Sequence, residues 1–347
     1  MTTSARKPTV IDALPKAELH LHLEGSIRPH TVVELARRHG VALTPQEVAA
    51  RYDYADFAGF IEAFKWVTSF LRHPEDYALI TRDLAEELVR QNVVYAEVTL
   101  SVGVMLRRMQ DVAANFNAIR ETAESVPFRK LRLAWIFDAA RQWGAQAALQ
   151  VAELAGKLQR SGVVAFGMGG DELAVPTVNF RPAFDHARGE GLHLVCHAGE
   201  VGGAESVREA IEILGAERIG HGIAVMNDPA LAERLQTRRV VLENCITSNI
   251  RTGALAKQLN KPSATAAEHP LRQFLEKGVP VTLSTDDPSM FHTDLLTEYS
   301  LAASLGLADR QLAQLAEQSF LASFLPAEEK RRLLDEFRAA AKSAGLV

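Results

Sequence analysis

The sequence predicts an α/β protein whose strands close into a (β/α)8 TIM barrel. Short apolar runs rich in β-branched residues alternate with longer amphipathic stretches, which is typical of βα units in a parallel sheet. Eight such units follow one another in a chain of 347 residues, a length suited to one large barrel. A doubly wound open sheet is the alternative, but it normally has a glycine-rich phosphate turn after its first strand. No such turn follows the first strand here.

The predicted strands and helices alternate regularly along the chain. In order, the strands are 17–22, 93–100, 131–137, 162–166, 192–197, 218–221, 240–244 and 279–284. The clearest helical patterns between them are 74–90, 111–124, 143–160, 182–190, 205–214, 228–236 and 270–277. Proline near the first turn, as at Pro74, and glycine after the last turn, as at Gly191, mark the helix ends.

Two segments of the chain are additional to the eight βα units of a minimal barrel. Residues 28–76 are too many for one strand-to-helix connection and predict an extra helical cap after the first strand. The aromatic residues of this cap are Phe57, Phe60, Phe64, Trp66 and Phe70. From residue 311 onward the pattern predicts C-terminal helices that pack on the barrel through Phe320, Phe324 and Leu333. Because no linker or repeat divides the chain, residues 11–345 are expected to form a single domain.

Composition excludes several classes of function. A net charge of -5 and a pI near 6.1 argue against a nucleic-acid partner, which normally needs a basic face. Cys196 and Cys245 are too few for a disulfide framework and lie in apolar runs, so buried thiols are expected. Residues 1–10 contain no apolar targeting stretch, and no run is long enough to span a membrane. These observations predict a cytoplasmic protein without a membrane partner, and its oligomeric state is not predicted.

The first predicted strand contains His20 and His22. Side chains alternate between the faces of a strand, so both imidazoles point one way while Leu19 and Leu21 point the other. Two imidazoles on one face near a strand end are a natural start to a metal site. Taken alone, the pattern is equally consistent with two exposed or hydrogen-bonded histidines.

Other polar groups follow the ends of four further strands. These are 167–172 after the fourth strand, 197–200 after the fifth, His221 after the sixth and 284–287 after the eighth. Because active sites of (β/α)8 barrels lie at the carboxyl ends of the strands, these groups are expected to meet at one mouth.

The donor types favour one Zn²⁺ per chain. Three imidazoles, from His20, His22 and His197, and the carboxylate of Asp286 suit a borderline cation better than Mg²⁺ or Ca²⁺. A second metal is not expected, because barrels that hold two metals in this way commonly bridge them with a modified lysine at the end of the fourth strand, and no lysine is available there.

Glu200, His221 and Asp287 remain as an acid, a base and an orienting carboxylate, a set suited to hydrolytic displacement at an sp² carbon. Each has a simpler alternative. His221 could be a satisfied core histidine, Glu200 a helix cap, and the acidic pair before Pro288 an ordinary turn.

Taken together, these motifs resemble the adenosine deaminase family within the amidohydrolase barrels. The matching segments are 15–25 (PKAELHLHLEG), 169–172 (GGDE), 197–200 (HAGE), 218–222 (RIGHG), 248–249 (SN) with Thr252, and 284–288 (STDDP). The resemblance covers about residues 12–340.

The resemblance implies roles for the site residues. His20, His22, His197 and Asp286 would hold Zn²⁺, and Glu200 would be the protonated acid that donates to purine N1. His221 and Asp286 would orient the water that attacks C6, and ammonia would leave. The substrate-binding positions would be His22, Glu24, Gly170 and Asp287, with Glu24 facing the ribose, Gly170 at N3 and Asp287 at N7. The implied partner is a small purine nucleoside.

Three departures bear on the substrate. Glu24 stands where adenosine-specific members usually have Asp, Thr99 where they have Arg, and 167–169 (GMG) where Asp-Leu-Ala is commoner. The pattern is similar to relatives that deaminate 6-aminodeoxyfutalosine, an adenine nucleoside with a carboxyphenyl tail, in a menaquinone route. Adenosine and free adenine are the alternatives. The cap aromatics with Lys65, Arg107 and Arg108 could accommodate an aromatic carboxylate, although an amphipathic cap helix would look the same.

Two other classes of function compete with a deaminase. One is a non-catalytic barrel that acts as a binding module, which would be expected to lack some of these ligands. The other is a barrel hydrolase acting on amides or phosphoesters.

Overall fold

The computed structural model describes residues 8–346, and its centre is one parallel sheet of eight strands in sequential order. The strands are β1 (Lys16–His22), β2 (Val93–Leu100), β3 (Arg132–Ala140), β4 (Val163–Gly169), β5 (His193–Ala198), β6 (Arg218–His221), β7 (Val241–Asn244) and β8 (Val281–Leu283). The sheet closes at its carboxyl end: His22 N donates to the Asp286 carbonyl (2.8 Å), and Asp286 N donates to the His20 carbonyl (3.0 Å). The predicted (β/α)8 barrel is confirmed.

Helices surround the strands and extend the barrel at both ends of the chain. They are α1 (Pro29–Arg38), α2 (Pro45–Arg51), α3 (Phe57–Thr68), α4 (Pro74–Arg90), α5 (Val102–Arg107), α6 (Val112–Ala123), α7 (Gly144–Leu158), α8 (Arg181–Gly189), α9 (Ala204–Glu209), α10 (Pro229–Arg238), α11 (Ile246–Arg251), α12 (Ala254–Gln258), α13 (Leu271–Glu276), α14 (Pro288–Phe291), α15 (Leu295–Ser304), α16 (Asp309–Ala322) and α17 (Ala327–Ser343). The predicted starts at residues 111 and 228 are N-caps, because Asp111 and Asp228 accept backbone N–H bonds of the first helical turn.

The fourth strand is longer than its prediction. The sequence after Phe166 suggests a loop, whereas β4 continues to Gly169. A Cβ at Gly169 would crowd the site, because it would lie 3.1 Å from Nδ1 of His197 and 3.4 Å from Oδ2 of Asp138. Because glycine has no side chain, this end of the strand leaves room for the polar groups at the barrel mouth.

The predicted cap is formed by the helices between β1 and β2. Helix α3 begins after Asp56, whose carboxylate accepts a hydrogen bond from Gly59 N (2.9 Å). Its Phe60 is buried against Phe291, with ring centroids 5.0 Å apart. An apolar helix thus lies beside the barrel mouth.

The C-terminal helices pack on the barrel as predicted, with Phe320 and Leu333 buried. Phe324 is the exception, because its ring is only half-buried. It lies 3.7 Å from the Arg218 guanidinium and stacks on His193 at 4.0 Å, so it covers charged groups at the amino end of the barrel.

Three further expectations concern the rest of the chain. Cys196 and Cys245 are both buried free thiols, as predicted. No helix within residues 8–346 combines the length and the apolar character needed to cross a membrane. The expectation that residues 1–10 carry no targeting stretch falls mostly outside the described residues.

Candidate metal centre and active site

His20 and His22 lie at the end of β1 and face the mouth of the barrel. Both are buried, and their ring centroids are 5.4 Å apart. His197, at the end of β5, brings its ring to 4.5 Å from that of His20 and 5.4 Å from that of His22. The alternation of side chains along β1 therefore places three imidazoles in one cluster, as the sequence predicts.

Asp286 joins this cluster from the segment after β8. Its Oδ1 lies 3.5 Å from Nε2 of His20 and 3.4 Å from Nε2 of His22, and its Oδ2 accepts a hydrogen bond from Ser248 Oγ (2.7 Å). The backbone of Asp286 has a φ of 67°, which is strained for a residue with a side chain. The two hydrogen bonds to β1 hold it in this conformation.

The cluster has the properties of a cation site. Nε2 of both His20 and His22 is buried and has no hydrogen-bond partner among the described residues, although each nitrogen faces Asp286. Burial opposes protonation of His20, but the neighbouring carboxylates of Asp286 and Glu243 raise its pKa to about 10. Burial lowers the pKa of His22 to about 4, which leaves a neutral imidazole with a free lone pair. The imidazole and carboxylate donors therefore fit a zinc-type ion.

The potential ligand atoms form two overlapping groups, each with its atoms within 4.8 Å of one another. They are His20, His197, His221 and Asp286, and then His22, Asp286 and Asp287. Asp286 belongs to both groups. The predicted ligands thus share one small volume with two of the predicted catalytic residues.

Glu200 follows β5 and points toward His221. Its Oε2 lies 3.6 Å from Nε2 of His221. Burial raises the pKa of Glu200 to about 8, and the Asp286 and Glu172 carboxylates add to this effect. At neutral pH Glu200 is therefore a protonated carboxylic acid, the state that a proton donor needs.

Glu172 holds the loop that carries Glu200. Its carboxylate accepts hydrogen bonds from the backbone N–H groups of Gly199, Val201 (2.9 Å) and Gly202 (2.8 Å). A Cβ at Gly202 would approach the Glu172 carboxylate to 2.5 Å, so the contact requires glycine. Glu172 is the last residue of the 169–172 motif, but the sequence predicts no role for it.

His221 is fixed from two directions at the end of β6. Its backbone has a φ of 63°, and its carbonyl accepts a hydrogen bond from Asn244 Nδ2 (2.7 Å). Its ring Nδ1 lies 3.0 Å from Nδ2 of Asn249. Nε2 consequently points at Glu200 and, 3.8 Å away, at Oδ2 of Asp286.

Asp287 lies beside the ligand cluster and is buried. Burial raises its pKa well above the ordinary value, and the charge of Asp286 acts in the same direction, so the protonated form of Asp287 is favoured. Its Oδ1 has no hydrogen-bond partner among the described residues. A Cβ at Gly25 would lie 1.7 Å from this oxygen, so glycine leaves the space that Asp287 fills.

A cavity lies above the His/Asp cluster. The other two predicted substrate-binding residues, Gly170 and Glu24, differ in whether they line it. Gly170 lines it, and its φ of 85° suits glycine. Glu24 is not among the described residues that line it. Its Oε1 accepts a hydrogen bond from Ser101 N (3.0 Å), and burial raises its pKa to about 7. Ser101 is the residue of this pair that reaches the cavity.

The cavity above the cluster has a polar floor and an aromatic rim. The rim consists of Phe57, Phe60, Ile61, Phe64, Val104, Trp143 and Phe291, with Lys65 at its edge. Trp66, Arg107 and Arg108 do not line it, so the expectation that they face the substrate is not supported. Arg107 stacks on Trp143 (5.4 Å), and Arg108 donates to Oγ1 of Thr68 (3.0 Å) at the end of α3.

Asp138 is a further cavity residue that is absent from the sequence-based prediction. It follows Phe137 near the end of β3, and burial raises its pKa to about 8. The rule that polar residues at strand ends form the site of a barrel, applied to the third strand, would have identified it.

A family model described as "Adenosine deaminase" matches residues 15–340. The chain belongs to the adenosine deaminase family. It is 44% identical over 335 residues to an aminodeoxyfutalosine deaminase of Streptomyces coelicolor, covering 94% of this chain and 84% of that relative. It is 33% identical over 339 residues to an adenosine deaminase of Escherichia coli, covering 94% and 98% of the two chains.

Solved structures support the same family. The crystal structure of an adenine deaminase from Arthrobacter aurescens matches with a TM-score of 0.85 and 29% identity, covering 95% of this chain and all of that one. The adenosine deaminase family is metal-dependent, and the His/Asp cluster at the mouth of this barrel could bind a metal ion.

Proposed function

We propose that this adenosine deaminase family member hydrolyses the 6-amino group of an adenine nucleoside and releases ammonia, with 6-aminodeoxyfutalosine as its preferred substrate. One observation carries the proposal. The carboxyl of Glu200 is largely buried and lies 3.6 Å from His221 at the edge of the imidazole–carboxylate cluster, where burial raises its pKa to about 8 and favours the protonated acid. A proton donor beside a cation site is the arrangement that displacement of an amine from an electrophilic ring carbon requires. Residues 11–345 are proposed to act as one domain.

One Zn²⁺ held by His20, His22, His197 and Asp286 is proposed as the cofactor. The two orphaned Nε2 atoms and the carboxylate between them support this assignment. When bound, the ion acidifies a water molecule and so supplies a nucleophile at neutral pH.

The chain's own residues supply the proton and the orientation. We assign Glu200 as the donor to purine N1, because a proton there withdraws electrons from C6. Asp287 is assigned to N7. Since N7 can only accept a hydrogen bond, this role needs the protonated carboxyl that burial favours. Gly170 would present its backbone N–H to N3.

The reaction then balances as a hydrolysis. A water oxygen forms a bond to C6 and loses two protons, of which one replaces the proton that Glu200 gave to N1 and the other goes to the exocyclic nitrogen. The bond from C6 to that nitrogen breaks, and the nitrogen leaves as ammonia. His221 Nε2 and Asp286 Oδ2, which are 3.8 Å apart, would both hydrogen-bond the water from one side of it. The product carries a carbonyl oxygen at C6.

The aromatic rim supports the choice of substrate. Phe64, Trp143 and Val104 present apolar surface beyond the polar floor, where a nucleoside with a carboxyphenyl tail would place its ring. Lys65, which is exposed and pairs with Glu62 (2.8 Å), could reach the tail carboxylate. Identity of 44% to an aminodeoxyfutalosine deaminase points the same way.

Free adenine remains the alternative, because the solved adenine deaminase from Arthrobacter aurescens shares the whole fold. The decisive experiment compares kcat/KM for 6-aminodeoxyfutalosine, adenosine and adenine, followed by ammonia release. We expect the tail-bearing nucleoside to have the highest value, since a site built for a tail loses transition-state binding when the tail is absent. Highest activity on adenine would favour the alternative. No turnover of any 6-aminopurine by zinc-loaded protein would refute the proposed function.

A further inference from the structure

A row of buried hydrogen bonds ends at the ring of His221. It runs from the backbone N–H of Leu271 to Nδ1 of His269 (3.2 Å), from Nε2 of His269 to Oδ1 of Asn249 (3.1 Å), and from Nδ2 of Asn249 to Nδ1 of His221 (3.0 Å). The side chains of His269, Asn249 and His221 are all buried. Each hydrogen bond in this row has one donor and one acceptor. Because neighbouring bonds share a side chain, the donor of one bond determines the donor of the next.

The first direction is set by the backbone. A backbone N–H can only donate, so Nδ1 of His269 is an acceptor and carries no hydrogen. Burial lowers the pKa of His269 to about 3, and its ring is therefore neutral with a single N–H. That hydrogen must be on Nε2, which donates to Oδ1 of Asn249.

The second direction follows from the amide of Asn249. Its oxygen accepts from His269, so its NH₂ group faces His221 and donates to Nδ1. The flipped amide would place the NH₂ group against the N–H of His269, where two donors would meet in a buried place. His221 must consequently carry its hydrogen on Nε2 when it is neutral.

We propose that Asn249 and His269 are positioning residues that hold His221 in the Nε2–H tautomer, so that His221 presents a hydrogen-bond donor to the reacting groups. Nε2 lies 3.6 Å from Oε2 of Glu200 and 3.8 Å from Oδ2 of Asp286. In this tautomer His221 has no lone pair on the side of the site. It stabilises negative charge on an attacking oxygen by donating, and it does not remove a proton from that oxygen. This kinetic consequence rests on the proposed function, whereas the tautomer rests on the hydrogen bonds alone.

The tautomer can be measured by NMR without turnover. In protein labelled with ¹⁵N-histidine, two-bond ¹⁵N–¹H correlations distinguish a protonated ring nitrogen from an unprotonated one, and the signals of His221 are those that disappear in His221→Gln. We expect Nε2 of His221 to be protonated and Nδ1 to be unprotonated, in the zinc-loaded and in the metal-free protein. A protonated Nδ1 in the wild type would overturn the proposal.

Asn249→Asp reverses the last hydrogen bond, because a carboxylate accepts and cannot donate. We expect the hydrogen of His221 to move to Nδ1 and kcat to fall about 100-fold with KM changed less than about 3-fold, the loss typical of one positioned donor. Asn115→Asp is the matched control, since Asn115 is a buried amide on α6, away from the barrel mouth. An unchanged His221 spectrum and an unchanged kcat in Asn249→Asp would refute the relay.

A second pair of variants applies if Asn249→Asp does not fold. His269→Gln keeps an N–H donor for Oδ1 of Asn249, whereas His269→Ala removes it. We expect His269→Gln to retain the tautomer and kcat, and His269→Ala to show both tautomers and a kcat lowered about 10-fold. Equal spectra and equal kcat in the two variants would contradict the relay. If the wild type deaminates no adenine nucleoside, the proposed function fails while the NMR result still decides the tautomer.

Discussion

Oε2 of Glu243 lies 2.8 Å from Nδ1 of His20, on the opposite side of the ring from Asp286. The His20 ring is thus held between two carboxylates, and its Nε2 is directed into the ligand cluster. Glu243 also pairs with Arg218, whose Nε is 2.6 Å from Oε1. Although burial opposes ionisation, Arg218 and His20 keep the pKa of Glu243 below its ordinary value. Glu243 is therefore charged and orients the His20 ring, the proposed metal ligand.

Glu243→Gln should weaken metal binding about 10- to 100-fold, because the amide provides no negative charge to orient and polarise His20. Competition with a chelator of known affinity measures the change. Glu317→Gln is the control, since it removes a carboxylate paired with Arg338 at the surface. Equal metal affinity in the wild type and both variants would show that Glu243 serves the fold alone.

Glu200→Gln should lower kcat by about 10² to 10⁴, the usual contribution of a positioned general acid, while leaving the metal bound. Measurements of metal content and of substrate binding check that the variant keeps the metal and the site. A variant that retains more than a tenth of wild-type kcat would remove Glu200 from the acid role.

The protonation of Glu200 also predicts a pH dependence. Its folded pKa is raised from 4.5 to about 8, so the active acid is present below pH 8 and kcat should fall as the pH rises through that value. The folded state binds this proton more tightly than the unfolded state, so this group's contribution to stability decreases as the pH rises from about 4.5 to 8. Glu200→Gln should abolish this part of the pH dependence in denaturant titrations. The same slope in the variant would contradict the assignment.

Gly25→Ala should reduce kcat/KM strongly, because the added methyl group would lie 1.7 Å from Oδ1 of Asp287 and must displace that carboxyl. Gly203→Ala is the matched control, since a Cβ at Gly203 meets no atom within 4 Å. Kinetics on the same substrate and thermal unfolding separate a displaced side chain from an unfolded protein. Wild-type kcat/KM in Gly25→Ala would mean that the position of Asp287 does not matter for the reaction.

Phe64→Ala should lower kcat/KM for 6-aminodeoxyfutalosine about 10-fold and leave that for adenosine within about 2-fold, because only the tail would contact the rim. Trp66→Ala tests the specificity of this effect. Trp66 is on the same helix but contacts Phe70 and Arg51 instead of the cavity. Equal losses on both substrates in Phe64→Ala would place the tail elsewhere.

The fold and the centre of the site were accessible from the sequence for one physical reason. A strand has a period of two and a barrel gathers its strand ends, so the spacing of His20 and His22 predicts both a shared face and neighbours such as His197. The residues around that centre were less accessible. Glu243 lies within a predicted strand, where a carboxylate among apolar residues is a signal of a buried partner, but its partner is set by the packing of β6 against β7.

The helical cap shows a second limit of prediction from the sequence. Phe57, Phe64 and Trp66 look alike in an amphipathic helix, yet Trp66 faces away from the cavity. Which side of α3 meets the barrel depends on the contact of Phe60 with Phe291, and these residues are far apart in the chain. Arg108 is similar: its guanidinium donates to the carbonyls of Lys65 and Thr68 at the end of α3, a contact that charge patterning does not reveal.

The seam between β1 and the segment after β8 makes one late residue of the chain, Asp286, necessary for both the barrel and the His/Asp cluster. Asp286 bridges the two His imidazoles of β1 through its side chain and closes the barrel through its backbone. A chain that lacks residue 286 would have neither the hydrogen bonds that close the barrel nor the carboxylate that faces His20 and His22. A truncation before this position would therefore remove the seam and the cluster together.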